Sequence, residues 1–245
     1  MEKRKRALVT GSSRGIGRAI ALALAEDGYE VIVHCAGNME KAEETKKQIE
    51  AKGGKASILS ADLCDPVQAK VLAERMGDVD VLVLNASIQI RKPWQEISLE
   101  ENYRQLNCNF VSSVVLIQGA VDYMKRQKWG RIITIGSVQE AKPHPDMLIY
   151  SSSKAAQTMM AKSLALQLAA DGITVNNVAP GVILTDRNAE ALSDAEYAQK
   201  VASTIPAGFY GLPEDCAGVV RLLCAEQGRY ITGQSIYVDG GKSVQ

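Results

Sequence analysis

The chain has 245 residues, 46% of them hydrophobic and 23% charged, and its 28 basic and 28 acidic side chains cancel. That length accommodates one large α/β domain with a substantial core, and the charge balance excludes a general nucleic-acid binder, which carries a basic excess. No apolar run approaches a membrane span, so the expectation is a cytoplasmic protein with no membrane partner.

The opening MEKRKR reads as a solvated terminus before the first strand, not as the start of a signal peptide. The apolar run behind it, Ala7-Leu8-Val9, is too short for an h-region. Strand-like and helix-like segments then alternate. Arg6 to Thr10 is a short apolar strand, and Gly15 to Asp27 a helix with Ile16, Ile20, Ala23 and Leu24 on one face and Gly28 as its stop. A second strand spans Glu30 to Cys35, a polar helix Met39 to Lys52, a third strand Ala56 to Ser60, and a fourth Val79 to Leu84. Ser98 and Glu101 form a capping box that opens a long helix to about Lys125.

A strand from Arg131 to Ile135 follows, then a helix from about Tyr150 to Ala170 stopped by Gly172. Thr174 to Ala179 and Gln234 to Val238 are the last strands, separated by a loop-rich segment around 182–212 and a helix begun by Pro213-Glu214-Asp215. Such alternation implies a doubly wound parallel sheet with helices on both faces, because parallel strands need crossover connections. No linker or repeat interrupts it, so residues 1–245 are expected to form a single domain.

Cysteines number five (Cys35, Cys64, Cys108, Cys216, Cys224), with no C-x-x-C pair, and the only histidines are His34 and His144. Neither a disulfide framework nor a zinc site follows from that set, and no metal is expected. Reduced thiols of a cytosolic protein are the reading.

Thr10-Gly11-Ser12-Ser13-Arg14-Gly15-Ile16-Gly17 lies where the first strand turns into the first helix. Gly11 permits the tight turn, Gly15 lets the backbone approach a diphosphate, and Gly17 lets the helix pack on the sheet. The diphosphate would rest on the N–H groups of the helix N-terminus. No G-K-[ST] closes the turn, which excludes an ATP-type P-loop.

This T-G-x-x-x-G-x-G spacing resembles that of the short-chain dehydrogenase/reductase family, and the resemblance covers almost the whole chain. Other landmarks follow in order: Asp62-Leu63, Asn85-Ala86, Asn107, Ser137, Tyr150-Ser151-Ser152-Ser153-Lys154, Pro180-Gly181-Val182 with Thr185, and Asp239-Gly240-Gly241. Within the family, Ile88-Gln89-Ile90-Arg91-Lys92-Pro93 is similar to gluconate 5-dehydrogenase and related sugar dehydrogenases, and the whole chain is also similar to 3-oxoacyl-acyl-carrier-protein reductases. One departure stands out. Ser87 occupies the place of the family's glycine, altering either the packing of that loop or what the pocket above the nicotinamide admits.

The resemblance implies a Rossmann fold and an NAD(P)-dependent oxidoreductase. Moving a hydride to a carbonyl leaves negative charge on oxygen, and a proton must arrive there. Tyr150 is the expected acid/base, although a phenol ionises near ~10 and bringing one to ~7 takes about 4 kcal/mol. Lys154 supplies a fixed cation, and the i, i+4 spacing puts it on the same helix face. Ser137, at the C-terminal end of its strand, orients the substrate oxygen. By resemblance, Asn107 holds a water for proton relay and Lys154 also meets the nicotinamide ribose. The other expected cofactor contacts are Gly11, Ser13, Arg14, Gly15, Ile16, Gly17, Asp62, Leu63, Asn85, Ala86, Pro180, Gly181, Val182 and Thr185. Asp62 has a second reading, as a helix cap.

An NAD enzyme commonly ends its second strand in Asp or Glu. Here the run is Val33-His34-Cys35-Ala36-Gly37-Asn38, and Arg14 offers its guanidinium fork to a 2′-phosphate with Ser13 and Asn38 beside it. NADP is therefore preferred, with NAD as the alternative. Candidate substrate residues are Ser87, Gln89, Arg91, Gln139, His144 and Arg187, with Lys92, Lys142, Asp146 and Asn188 nearby. Many are polar or cationic, which favours a small-molecule sugar, sugar acid or polyol over a steroid. The segment 186–212 is a candidate helical lid. The family is usually tetrameric or dimeric, and Ala155, Ala156, Met159, Met160 and Ser163 fit a helix packed on a symmetry mate. A dinucleotide sensor without turnover is the reading from another class; it would be expected to lose some of Asn107, Ser137, Tyr150 and Lys154.

Overall fold

The computed structural model describes residues 4–186 and 188–245. Seven short runs rich in β-branched residues form the strands β1 (Arg6–Val9), β2 (Glu30–Cys35), β3 (Lys55–Ser60), β4 (Val81–Leu84), β5 (Gly130–Ile135), β6 (Ile173–Pro180) and β7 (Ser235–Val238). They join in the order β3-β2-β1-β4-β5-β6-β7, every pair parallel. β4, β5 and β6 are buried at every position, as central strands covered on both faces are, and in β5 and β6 the buried set includes Arg131, Thr134, Thr174, Asn176 and Asn177. Edge strand β3 has no buried position.

Successive strand residues serve opposite layers. Ala7, Val9, Val31, Val33, Val81 and Val83 pack with α1 (Gly15–Glu26), α2 (Met39–Ala51) and α9 (Pro213–Cys224). Leu8, Ile32, Leu82 and Ile132 pack on the other face with α3 (Pro66–Arg75), α5 (Ser112–Gln127) and α6 (Leu148–Leu168). Each such fully buried Leu or Ile contributes about 1.5–3 kcal/mol. Strand order reverses between β1 and β4, and the crevice at a reversal is where open α/β sheets bind ligands.

Three differences from the expected elements matter. The α3 helix was not anticipated; Asp65 caps it by accepting from the Val67 N–H at 2.8 Å, with Pro66 in the first turn. The long helix opens as expected, with the Glu101 N–H on Ser98 Oγ at 3.1 Å and the Ser98 N–H on Glu101 Oε2 at 2.8 Å. It is not uniform, however: α4 (Leu99–Leu106) passes through a π turn at Asn107–Val111 before continuing as α5. The segment after β6, expected to be loop-rich with a helical lid inside it, carries two separate short helices, α7 (Ala189–Leu192) and α8 (Ala195–Ser203). Among the described residues no helix is long and apolar enough to cross a membrane.

Candidate active site

The glycine turn is built from the backbone outward. Gly11 and Gly15 have φ of +64° and +55°, which a side chain with a Cβ adopts at a cost. A Cβ at Gly17 would lie 2.4 Å from the Gly11 carbonyl oxygen and 2.5 Å from Asn85 Nδ2, so α1 presses on the turn and on the end of β4 as well as on the sheet. Asn85 secures this approach. Its amide donates to the carbonyls of Thr10 (2.9 Å) and Gly11 (3.2 Å), while the backbone N–H groups of Asn85 and Ala86 donate to Thr10 Oγ1.

From the opposite side, the Gly11 N–H donates to His34 Nδ1 at 3.0 Å, and His34 Nε2 lies 3.1 Å from the Ala61 carbonyl. Those partners fix the tautomer, because Nδ1 must accept and Nε2 must carry the proton. Burial pulls the His34 pKa down to about 4. The imidazole is therefore neutral at ordinary pH, and its lone pair holds the turn in place.

The turn leads into a cleft of about 1000 Å³ along the C-terminal ends of the strands. Tyr150 and Lys154 reach it from one face of α6, with Lys154 1% and Tyr150 7% exposed. Lys154 Nζ donates to the Ile135 carbonyl at 2.8 Å and to Gln157 Oε1 at 3.0 Å, and lies 5.7 Å from the Tyr150 ring centroid. Ser137 follows β5, where its Oγ accepts from the Gln139 N–H at 3.2 Å. Gln139 is held in turn, its Oε1 accepting from Ser151 Oγ at 3.0 Å. Beneath this loop Glu140 accepts from Ser235 Oγ (2.6 Å) and Asn177 Nδ2 (3.1 Å), which roots it in β6 and β7.

Asn107 does not line the cleft. It opens the π turn and donates to the Cys64 carbonyl at 3.2 Å. Two residues on, the buried Asn109 ties three elements together. It accepts from the Ile88 N–H at 2.9 Å and donates to the Ile88 carbonyl and to Ser153 Oγ, each at 3.0 Å.

Of the other expected site residues, the cleft brings together Gly11, Ser13, Arg14, Gly15, Ile16, Gly17, Asp62, Leu63, Asn85, Ala86, Pro180, Gly181, Val182 and Thr185 along one arm. Thr185 is presented by Asn188, whose Oδ1 accepts from the Thr185 N–H at 2.9 Å. Ser87, Gln89, Arg91, Gln139 and His144 line the other arm, while Arg187 lies outside the described residues. Asp62 also acts locally, its Oδ1 accepting from the Cys64 N–H at 2.9 Å. Asn38 caps α2 through its Oδ1, on the Lys41 N–H at 3.0 Å, so only its amide nitrogen remains for a ligand.

Sequence reasoning missed His34, Lys41, Asn109 and Glu140 as parts of this site. Lys41 lines the cleft beside Arg14 and Asn38, paired with Asp186 at 2.6 Å. That pair holds the Asp186 carboxyl below its ordinary range. At the substrate arm Arg91 Nη2 lies 3.3 Å from His144 Nε2 and its Nε 3.6 Å from Asp146, so the loops after β4 and β5 meet there. Lys142 and Lys242 complete that rim; burial, and then Lys142 beside it, pull the Lys242 ammonium below its usual range.

The donors suit a nicotinamide dinucleotide. The turn from Gly11 to Gly15 borders the cleft at the N-terminus of α1, whose first N–H groups have no intrahelical partner. Comparison with known proteins agrees. The family model described as short chain dehydrogenase matches residues 5–196. The 3-oxoacyl-[acyl-carrier-protein] reductase of Staphylococcus aureus is 40% identical over 245 residues, covering 98% of this chain and 99% of its own. The 3beta-hydroxysteroid dehydrogenase 1 of Eggerthella lenta is 36% identical over 247 residues, covering 99% and 95%. A crystal structure of a putative NAD(P)-dependent gluconate 5-dehydrogenase from Beutenbergia cavernae with bound NADP superposes with a TM-score of 0.93 at 34% identity, covering 98% of this chain and 97% of that one.

Proposed function

The chain belongs to the short-chain dehydrogenase family, and on that premise we propose that it moves a hydride between NADP(H) and the carbonyl or secondary alcohol of a polar substrate, a sugar acid above all. One observation carries the reading. The cleft that holds Ser137, Tyr150 and Lys154 opens onto a rim of Arg91, Lys142, His144 and Lys242, three of them basic side chains with Asp146 offsetting part of the charge.

Bound NADPH supplies the hydride. Tyr150 delivers a proton to the substrate oxygen, and Ser137 donates a hydrogen bond to the same atom and orients it. Lys154, pinned by the Ile135 carbonyl and Gln157, keeps a cation beside the phenol and favours the phenolate once the proton has left. Asn107, expected as the relay residue, is held on the Cys64 carbonyl outside the cleft lining, so the relay role is not assigned to it. Arg14 and Lys41 favour NADP over NAD, because both line the adenosine arm and no carboxylate ends β2.

Segment 186–212 is read as a lid pinned at its start, by Lys41 to Asp186, and again within it, by Lys242 Nζ to Thr204 Oγ1 at 2.7 Å. A homotetramer or homodimer in the cytoplasm is the assembly this reading carries, supported by Met159 and Leu166 standing exposed along α6.

A second reading, reduction of a 3-oxoacyl group on a carrier protein, is favoured by the 40% identity to such a reductase. NADPH consumption over a panel of keto-sugar acids, β-ketoacyl thioesters and simple diketones separates the two. The keto-sugar acids should give the highest kcat/KM. Preference for the thioesters would replace the first reading by the second, and no consumption with any carbonyl would leave a dinucleotide sensor.

A further inference from the structure

Two thiols meet in the wall of the cofactor groove. Cys64 follows Asp62-Leu63 beyond β3 and is half-buried; Cys108 follows Asn107 in the π turn and is 5% exposed. Both line the cleft, and each thiol is the leading influence on the other's pKa. The Asn107 bond to the Cys64 carbonyl joins the two segments that carry them. The thiol of Cys108 holds Cys64 below the ordinary thiol range, while that of Cys64 and burial push Cys108 up. The thiolate, which is the nucleophile, therefore forms at the more accessible partner. Burial pushes the thiols of Cys35, Cys216 and Cys224 up instead.

We propose that Cys64 and Cys108 form a disulfide when a hydroperoxide reaches the cleft, and that this bond weakens cofactor binding in the groove. In the first step Cys64 Sγ attacks the peroxide, the O–O bond breaks, and Cys64 becomes a sulfenic acid while the other oxygen leaves as alkoxide, or as hydroxide from hydrogen peroxide, and takes up a proton. Next, Cys108 Sγ attacks the oxidised sulfur, the S–O bond breaks and water departs. Two thiols have lost two electrons and the hydroperoxide has gained them. A dithiol reductant reverses the change.

Bond formation shortens a thiol contact to about 2.05 Å and requires Cβ atoms about 3.5–4.5 Å apart. The covalent link ties the segment after β3 to the π turn. Asp62 and Leu63 ride on that segment, so the wall they form in the groove loses its freedom to close on a cofactor. The thiol chemistry stands apart from the substrate proposed above; only its effect on turnover rests on that reading.

The experiment treats the full-length protein with hydrogen peroxide and reads mass, peptide linkage and NADPH binding by fluorescence, none of which needs a substrate. Expected are the loss of two hydrogens, one linked pair of peptides carrying Cys64 and Cys108, and NADPH binding weaker by about tenfold or more. Dithiothreitol should restore binding. C64A and C108A should each abolish the linkage and the reversible loss, with C64S and C108S as replacements should either alanine variant fail to fold. Linkage of any other pair, sulfinic acid at Cys64 without a disulfide, or a Cys64–Cys108 disulfide that leaves NADPH affinity unchanged would overturn the proposal.

Discussion

Strand β5 has a buried cation at each end, and the two do different work. Arg131, at its start, is 2% exposed; its Nη1 donates to the carbonyls of Gly130 (2.9 Å) and Gly172 (3.4 Å), its Nη2 lies 3.8 Å from Glu226, and its guanidinium faces the Trp129 ring at 4.3 Å. Lys154, at the far end, is equally buried but takes the carbonyl of Ile135, the last residue of the strand, and borders open volume. Burial of a charge is thus no signature of chemistry. What distinguishes Lys154 is the cleft, with a tyrosine and a serine reaching into the same space.

The sharpest way to break this contrast is at the cleft end. Tyr150→Phe and Lys154→Met should each lower kcat by about 10²–10⁴-fold, as expected for loss of a general acid or its cation. The tyrosine variant should bind NADPH nearly as before, whereas the lysine variant should also lose about 1–3 kcal/mol of stability, because the Ile135 carbonyl and Gln157 Oε1 are left unpaired in a buried place. Full activity in Tyr150→Phe would sink the mechanism; an unchanged kcat in Lys154→Met would make the two cations alike.

Arg131→Ala is the converse, costing about 2–4 kcal/mol in urea unfolding through a cavity and unpaired carbonyls while kcat at low temperature stays at the parent value. His34 tests a third buried titratable group. Its folded pKa of about 4 lies below the ordinary 6.5, so the unfolded chain binds the proton first. Stability should therefore be complete above pH 6.5 and fall as pH drops toward 4, by about 3 kcal/mol, and His34→Asn should remove that part of the slope. The smallest effect belongs to the exposed cation. Lys41→Met should raise KM for NADPH by about threefold to tenfold and leave KM for NADH unchanged, as suits a solvent-screened charge pair. An equal change for both cofactors would place Lys41 away from the 2′-phosphate.

Much of this was legible because it is periodic or punctuated. The strand–helix alternation, the Ser98–Glu101 box and the Tyr150–Lys154 spacing are local patterns, and local geometry carries them into the fold. The α3 helix was harder to read, since it buries only Ala69 and Leu72, although Asp65-Pro66 announced it. Asn85 was read as a cofactor contact, yet the structure spends its amide on Thr10 and Gly11. His34 looked like one more residue of β2. Its role depends on β1 and β3 flanking that strand, a fact of strand order and not of the neighbouring sequence. Glu140, Asn109 and the thiol pair are likewise products of tertiary contact.

The π turn at Asn107–Val111 has one more consequence, in the genetics of the chain. A π turn holds one residue more than the α-helical ladder needs, and each α-helical residue turns the axis by about 100°. That surplus residue sets the phase between α4, which packs on α6, and α5, which packs on α3. Loss of a single codon within 107–111 would keep an unbroken helix yet swing one half away from its neighbour. Away from the buried Asn109, point substitutions there are gradual in their effect; an in-frame deletion is not, and the other four positions should therefore vary in letter far more readily than the stretch varies in length.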